Sequence, residues 1–221
     1  MKKVFVCMSG LLLLAVPAGA ATWLVDNPAG DLATPNSLGW CIQAANLSPG
    51  PDTIVFDLPS ASGGPVTILP QQTYVLRDEA TTIDGFTQPG ASPNTLPAPQ
   101  PLDTVLMVEI DGSQIANGVA VLRMEANHGV IRGLAINAGP VFEITVGWQN
   151  AGLVGNHIAG NFIGTDVAGT VARPSGWQGF NPPYAVGVYI LNGASRTFVG
   201  RNDDDEDENA ERNLIAGEAH D

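Results

Sequence analysis

Three short stretches of this sequence repeat one pattern. They are Asn156-His157-Ile158-Ala159-Gly160, Asn161-Phe162-Ile163-Gly164 and Asn213-Leu214-Ile215-Ala216-Gly217. Each begins with Asn, continues through a larger residue to Ile, and ends in Ala or Gly. Self-similarity of this kind indicates a chain built from stacked repeats, in which each repeat buries its apolar side against its neighbours.

A second pattern gives the expected length of the repeat. Gly129-Val130-Ile131-Arg132-Gly133 is echoed 23 residues later by Gly152-Leu153-Val154-Gly155-Asn156, and 45 residues after that by Thr197-Phe198-Val199-Gly200. A unit in the low twenties without helical periodicity predicts one coil of a β-solenoid, made of three short strands joined by turns. We expect Val130, Leu153 and Phe198 to line up, with strands about 4.8 Å apart and with Gly and Asn at bends that need positive φ. An antiparallel β-sandwich with chance echoes is the alternative.

The rest of the chain also reads as short strands between turns. Apolar runs end in Gly, Pro, Asn or Asp, as is typical of strands bounded by turns. The runs are Thr53–Phe56, Pro65–Leu69, Thr81–Ile83 and Thr104–Val108, and the proline-rich segment from Gln88 to Pro101 is predicted to be a loop.

Composition restricts the class of protein further. The chain has 221 residues, 44% of them hydrophobic, with a formal net charge of −13. The hydrophobic content is too high for a disordered chain, and the acidic balance argues against a protein that binds nucleic acid through its phosphates. These values indicate a globular, loop-rich domain.

The first twenty residues have the layout of a secretory signal peptide. Met1–Lys3 is positively charged, residues 4–16 are mainly apolar, and Ala18-Gly19-Ala20 supplies the small residues that a signal peptidase reads. We expect cleavage after Ala20 and a secreted or extracytoplasmic protein. The apolar run is too short for a transmembrane helix, and no further stretch of that kind predicts a membrane span after cleavage.

Cleavage would remove both lysines and one of the two cysteines. The remaining chain has seven arginines against 22 acidic residues, and Cys41 as its single thiol. A single thiol forms no internal disulfide, and its apolar context predicts a buried side chain.

One helix is predicted near the start of the mature chain. Pro35-Asn36-Ser37 offers an N-cap, and apolar residues follow at helical spacing from Leu38 to Ala45. Asn46 and the Pro/Gly residues after it end the helix.

The chain resembles the secreted right-handed parallel β-helix repeat proteins that carry an SLREA-type motif near the N-terminus. The stretches that carry the resemblance are Ser37-Leu38 with Ile42–Asn46, Gly50–Phe56, Thr82–Gly85 with Gln88–Gly90, Gly160–Thr170, and Asn192–Ser195 with Arg212–Gly217. Together they span roughly residues 22–217. Where the family has Arg-Glu-Ala, this chain has Gly39-Trp40-Cys41, so any role of that charged pair is not carried over.

The resemblance implies an all-β chain folded as a right-handed parallel β-helix, or β-solenoid, of five or six coils with a short N-terminal capping helix. The expected division is a signal peptide at 1–20, an N-terminal segment with the capping helix at 21–52, and the β-helix at 53–221. An insertion loop is expected at about 171–184 and an acidic loop at about 202–211. The resemblance also implies further coils in longer relatives, which leaves open whether the reading frame is truncated or the acidic tail ends the stack.

The acidic run suggests either a solvated loop or a calcium site. Its candidate ligands are Asp203, Asp204, Asp205 and Asp207, since hard oxygen ligands suit Ca²⁺. The run lacks the spaced ligands of known calcium loops, so a solvated charged loop is the favoured interpretation. No other cofactor is expected.

Aromatic residues on the insertion loop are the candidates for ligand binding. Trp177, Phe180 and Tyr184 could stack on sugar rings of a polysaccharide or a cell-surface glycan, or fold back onto the stack.

Catalytic residues are harder to find. Glu109 and Asp111 share one face of a strand, but no set of acids recurs at the repeat period, and Asp84 and Asp166 suit turns. His128 and His157 are expected at turns or on the surface.

Arginines beside the repeat strands are expected to pair with acidic residues across coils. Arg123, Arg132, Arg196 and Arg201 are the arginines, and Glu109, Glu125 and Glu143 are the acids.

The favoured function is therefore a secreted, non-catalytic surface or adhesion-type scaffold that binds carbohydrate. The alternatives are a β-helix polysaccharide lyase or glycoside hydrolase, a fragment of one, and a purely structural spacer.

Overall fold

Short parallel strands make up most of the regular structure. The computed structural model describes residues 19–176, 186–202, 204 and 207–216. Residues 1–18 of the predicted signal peptide lie outside that range. Within it the elements are β1 (Thr22–Val25), α1 (Leu38–Ala45), β2 (Thr53–Phe56), β3 (Val66–Ile68), β4 (Tyr74–Leu76), β5 (Thr82–Asp84), β6 (Val108–Asp111), β7 (Ala120–Met124), β8 (Val130–Arg132), β9 (Ala135–Asn137), β10 (Phe142–Val146), β11 (His157–Ala159), β12 (Phe162–Ile163), β13 (Val186–Ile190), β14 (Phe198–Val199) and β15 (Leu214–Ile215), with 3-10 helices at Gly85–Thr87 and Gly112–Gln114.

The strands form three open parallel sheets. Sheet one has the order β1-β2-β5-β8-β11-β14, sheet two β3-β6-β9-β12-β15, and sheet three β4-β7-β10-β13. From β2 onward, consecutive strands enter sheets one, two and three in turn, and one such pass is called a cycle here. The pairings between named strands in the described ranges are parallel, so the expected all-β parallel class is confirmed and the antiparallel sandwich is wrong.

Apolar side chains stack in register between the sheets. In sheet one the stacked residues are Ile54, Ile83, Ile131 and Ile158. All four side chains are fully buried. Burying an isoleucine side chain contributes roughly 1.5–3 kcal/mol, so each cycle is stabilised mainly by covering the cycle before it.

The expected 23-residue spacing is wrong. Val130 stands beside His157, which is 27 residues further on, and His157 stands beside Phe198. Leu153 lies before β11 and takes no part in this column. The similarity of residues 129–133 and 152–156 gave the wrong spacing because the two glycines differ in structure. Gly129 directly precedes β8, whereas Gly152 lies in a left-handed bend with φ of 70°.

The repeated Asn pattern identifies equivalent strands of successive cycles for one pair of segments only. Phe162 and Ile163 pair with Leu214 and Ile215 in sheet two, as their likeness predicts. The third copy, around Ile158, belongs to sheet one. The two patterns look alike because both place an asparagine at a corner immediately before a strand.

Asparagine has a different role at these corners from the one expected. The side-chain Nδ2 of Asn161 donates to the Ile131 carbonyl oxygen at 2.9 Å, and its Oδ1 accepts from the Leu134 amide at 3.1 Å. The left-handed conformations at neighbouring corners belong to glycines such as Gly133 (φ 72°) and Gly160 (φ 64°). Asn161 therefore joins adjacent cycles, and glycines turn the chain at these corners. At another bend Asn192, with φ of 54°, has the expected role.

The predicted helix is present and covers the first cycle. Ser37 caps α1 through its Oγ, which accepts from the Trp40 amide at 3.2 Å. The helix contacts β1, β2 and β4. Cys41 is buried on its inner side, as expected, and burial, together with the nearby negative charge of Asp26, raises the pKa of its thiol to about 11.

One predicted strand is displaced. The apolar run from Thr104 to Val108 supplies only the first residue of β6, which begins at Val108. Val105 instead forms an isolated antiparallel bridge with Ser92 inside the preceding loop. The run folds this way because the loop needs its own backbone partners.

Candidate functional site

Two long loops leave the stack at the same corner. The corners between sheets one and two in the β8–β9 and β11–β12 connections are only two residues long. The β5–β6 connection spans residues 85–107, and the β14–β15 connection spans residues 200–213 and includes the predicted acidic loop. The two long loops therefore flank two tight corners.

Side chains of one loop bind the backbone of the other. Asn94 Nδ2 donates to the Asn209 carbonyl oxygen at 2.8 Å. Arg212 donates from both terminal nitrogens, to the carbonyl oxygens of Leu96 and Gln100, each at 2.9 Å. These bonds join segments more than 100 residues apart into one wall over the corner.

A cleft of about 230 Å³ lies between these loops and the outer side of sheet one. Strands β8 and β11 supply its floor, and the two loops supply its sides. The lining residues are Phe86, Pro93, Val130, Arg132, His157, Ala159, Asp207, Ala210 and Glu211. The cleft thus combines aromatic, cationic, acidic and small apolar groups, the mixture that suits a polar ligand with apolar faces.

An ion pair stands at one end of the cleft. Arg132 Nη2 lies 2.6 Å from Asp84 Oδ2, and the Arg132 side chain remains 49% exposed. The other oxygen of Asp84 accepts from the Phe86 amide at 3.1 Å and starts the 3-10 helix, so the expected turn role of Asp84 is confirmed. Pairing of Arg132 with Glu109, Glu125 or Glu143 is wrong, because Asp84 is its register neighbour on β5.

His157 stands on the floor at the other end. Its Nε2 lies 2.6 Å from the Gly200 carbonyl oxygen and 3.6 Å from Glu211 Oε1. Because a carbonyl oxygen only accepts, Nε2 carries a proton. Glu211 Oε2 accepts from the Asn202 amide at 2.9 Å, which orients the carboxylate. His157 therefore lies on a strand within the cleft, whereas His128 occupies an exposed turn with φ of 58° as expected.

The acids on sheet two are held by structural contacts. Glu109 accepts from Thr67 Oγ1 at 2.7 Å and from Asn137 Nδ2 at 2.9 Å. Arg173 Nη1 lies 3.5 Å from Glu109 and 3.3 Å from Asp111, which confirms that these two acids face the same way. Engaged in this way, they join neighbouring cycles.

The same holds beside sheet three. Arg123 Nη2 lies 2.6 Å from Glu125 Oε1, so this predicted partner is right, although the two residues lie on one strand path and not across cycles. Glu125 Oε2 also accepts from the amides of Gln149 and Asn150, both at 2.9 Å. A buried carboxylate with this many donors is a structural anchor.

The acidic loop is only partly described. Asp203 and Asp205 lie outside the described residues. Asp204 accepts from Asn202 Nδ2 at 2.8 Å, and Asp207 sits in a left-handed turn with φ of 48°. Within the described part of the chain, no group of three or more His, Cys, Asp or Glu side chains could hold a metal ion. The calcium site thus stays a prediction.

The aromatic residues of the insertion loop also lie outside the described residues. They are Trp177, Phe180 and Tyr184, and their role as ligand contacts stays a prediction. The cleft itself could not be predicted from the sequence. Its available signals were the Asp84-Gly85 turn beside a long proline-rich loop, and a histidine in an otherwise apolar strand.

Comparison with known proteins adds no relative: the chain matches no protein-family model, no curated protein and no solved structure. Over the described residues, the helix content includes nothing with the length and apolar character that a membrane span requires.

Proposed function

We propose that this chain is a right-handed parallel β-helix whose N-terminal end is covered by α1. The proposal is supported by the fixed order in which strands enter sheets one, two and three, and by parallel pairing between successive cycles. Right-handed crossovers are strongly preferred between parallel strands. A crystal structure with a left-handed winding would overturn this assignment.

We further propose that the chain is a secreted, non-catalytic scaffold that binds carbohydrate in the cleft beside Arg132 and His157. The single observation that supports this most is that ring surfaces and planar charged groups line one cleft together. Sugar rings pack their C–H faces on aromatic or imidazole rings while their hydroxyls exchange hydrogen bonds with carboxylates and guanidinium groups.

Charge narrows the class of glycan. The whole chain carries a formal charge of −13, and Asp207 and Glu211 line the cleft. Such a surface repels polyuronates at low ionic strength. We therefore propose a neutral polysaccharide or surface glycan as the ligand.

Retention on immobilised glycans tests the proposal. Phe86→Ala and His157→Ala should each weaken retention at least about tenfold, which corresponds to about 1.4 kcal/mol of lost binding. Tyr189→Ala is the matched control, because this aromatic side chain is 42% exposed on sheet three, away from the cleft. Unchanged retention of both cleft variants on every glycan that the unmodified chain binds would refute the cleft as the site.

The insertion loop gives a second, separable test. Trp177→Ala should reduce retention if the loop aromatics add to the binding surface. If Trp177→Ala alone reduces retention and the cleft variants do not, the insertion is the binding site and the cleft is not.

A polysaccharide lyase or glycoside hydrolase is the second candidate. The observation that favours it is the 3.6 Å approach of His157 Nε2 to Glu211 Oε1, since an imidazole beside a carboxylate can transfer protons. Incubation with polysaccharides, followed by assay of reducing ends and of unsaturated products, decides the matter. Product formation that Glu211→Gln abolishes would replace the binding proposal with an enzymatic one.

A further inference from the structure

A buried carboxylate accepts a hydrogen bond from the backbone next to the predicted cleavage point. Asp52 is 0% exposed. Its Oδ1 accepts from the backbone nitrogen of Ala21 at 2.9 Å, and its Oδ2 accepts from Trp23 Nε1 at 3.0 Å. Ala21 is the residue that follows Ala20, where the sequence predicts signal peptidase cleavage.

The donors that reach Asp52 in the uncleaved chain are neutral. Among the described residues no Arg or His forms a salt bridge with it. A buried carboxylate that meets only neutral donors is disfavoured, because its lost hydration is not balanced by an opposite charge.

A second acid increases the negative charge in this region. Asp78 has a carboxylate oxygen, Oδ2, that is buried and has no hydrogen-bond partner among the described residues. The pKa of Asp78 is raised, first by burial and also by the nearby charge of Asp52, and Glu79 adds to the same field.

Cleavage changes the chemistry of the nitrogen that Asp52 holds. Hydrolysis adds water across the Ala20–Ala21 bond: Ala20 leaves as a carboxylate, and the nitrogen of Ala21 becomes an amine that is protonated at neutral pH. This nitrogen already lies at hydrogen-bond distance from Oδ1, and Ala21 is held in place by the Thr53 amide, which donates to its carbonyl oxygen at 2.8 Å.

We propose that removal of residues 1–20 creates an α-ammonium group at Ala21 that forms an ion pair with buried Asp52, and that this pair fastens the first strand to the stack. Processing by signal peptidase would then complete the fold as well as release the protein. The proposal is independent of what the cleft binds.

The sequence allows an unusually direct test. Both lysines lie within residues 1–20, so the α-amine of Ala21 is the sole primary amine of the processed chain. An amine acetylating reagent therefore reports on this one group. The full chain is expressed with its leader in a bacterial host that exports proteins, and the product is identified by mass. A mature N-terminus other than Ala21 would overturn the proposal at this stage.

The rate of acetylation measures the ion pair. At about pH 8 the native chain should react at least about tenfold more slowly than Asp52→Asn, because the ion pair raises the pKa of the amine above the ordinary value of about 7.7–8.0. Asp57→Asn is the matched control, since Asp52 and Asp57 lie at opposite ends of β2 and Asp57 is exposed. The acetylation rate of this variant should equal that of the unmodified chain. Equal rates for Asp52→Asn and the unmodified chain would refute the ion pair.

Where Asp52→Asn does not fold, the unmodified chain supplies the comparison. Its amine should acetylate at least about tenfold faster in concentrated urea than in buffer at the same pH. No acceleration on unfolding would count against the proposal in the same way.

Stability gives the second readout. The acetylated chain keeps an N–H at Ala21 but loses the charge, and it should melt about 5 °C or more below the unmodified chain at neutral pH. The pair stabilises the fold fully below the amine's unfolded pKa of about 8 and is lost as pH rises through the higher folded value, so the difference should vanish at high pH. An acetylated chain with an unchanged melting temperature would contradict the proposed fastening role.

Discussion

Replacing Asn161 with Ala should destabilise the fold by removing a buried link between two cycles. The side chain is fully buried, and it donates to the Ile131 carbonyl oxygen and accepts from the Leu134 amide. Alanine leaves the Leu134 amide without its partner in a buried site, and it removes one donor from the Ile131 carbonyl, which also pairs within the parallel ladder of β8 and β11. The orphaned amide costs about 1–3 kcal/mol and the lost hydrogen bond about 1 kcal/mol, so the expected loss in free energy of unfolding is about 2–4 kcal/mol.

The neighbouring cycle provides a matched control. Asn213 makes the corresponding contacts one cycle further on: its Nδ2 donates to the Ile158 carbonyl oxygen at 2.8 Å, and its Oδ1 accepts from the Asn161 amide at 2.8 Å. Asn213 is only half-buried, so water can replace it, and Asn213→Ala should cost about 1 kcal/mol.

Urea unfolding followed by circular dichroism measures both variants. With a denaturant slope of about 2 kcal/mol per molar urea, the midpoint should fall by at least about 1 M for Asn161→Ala and by about 0.5 M for Asn213→Ala. Equal shifts, or a loss below about 1 kcal/mol for Asn161→Ala, would refute the view that burial makes this amide indispensable.

Three further predictions concern other parts of the chain. Gly133→Ala should lower the free energy of unfolding in urea by about 2 kcal/mol or more, because φ is 72° and a Cβ would lie 2.6 Å from a backbone nitrogen of the preceding cycle. Gly152→Ala is the control: φ is 70° but the space around it is open, so the loss should be about 1 kcal/mol. The reverse ranking of the two variants would contradict the steric argument. Cys41 should resist thiol reagents in the native chain and react fully in urea. Because the pKa of its thiol is about 11 in the folded chain and about 8.5 in the unfolded chain, the free energy of unfolding should fall as pH rises between these two values. A free energy of unfolding that stays constant over this pH range would argue against a neutral buried thiol. Titration of the mature chain with millimolar calcium should give no binding heat, as expected for a solvated acidic loop at 202–211, and a saturable heat would instead support the metal site.

Local signals in the sequence were sufficient for the helix and for several strands. The Ser37 cap and the apolar spacing from Leu38 to Ala45 act within one helix, so they can be read without tertiary contacts. The run Thr53–Phe56 is likewise a strand with the predicted bounds. The three-strand repeat also follows from such runs, because each must bury its apolar side.

Register could not be predicted because outward positions carry little information. His157 occupies the position of Val130 in the next cycle, and no hydrophobic pattern equates these two residues. The cleft was hidden for a similar reason: the loops at 85–107 and 200–213 are joined largely by side chains that bind backbone carbonyl oxygens. Every residue has a backbone carbonyl oxygen, so the residue types in the sequence do not show which of these oxygens a side chain binds.

The corner between sheets one and two has a consequence for how such a chain can diversify. It accommodates a connection of two residues at β8–β9 and one of 23 residues, from 85 to 107, at β5–β6, while Ile110 and Ile136 remain paired in the next sheet. Since the closure entropy of a loop grows only slowly with its length, further residues inserted into the β5–β6 connection should leave the strands beneath undisturbed. The paired strands thus form a support on which the length of a connection can differ between cycles without a change in strand pairing.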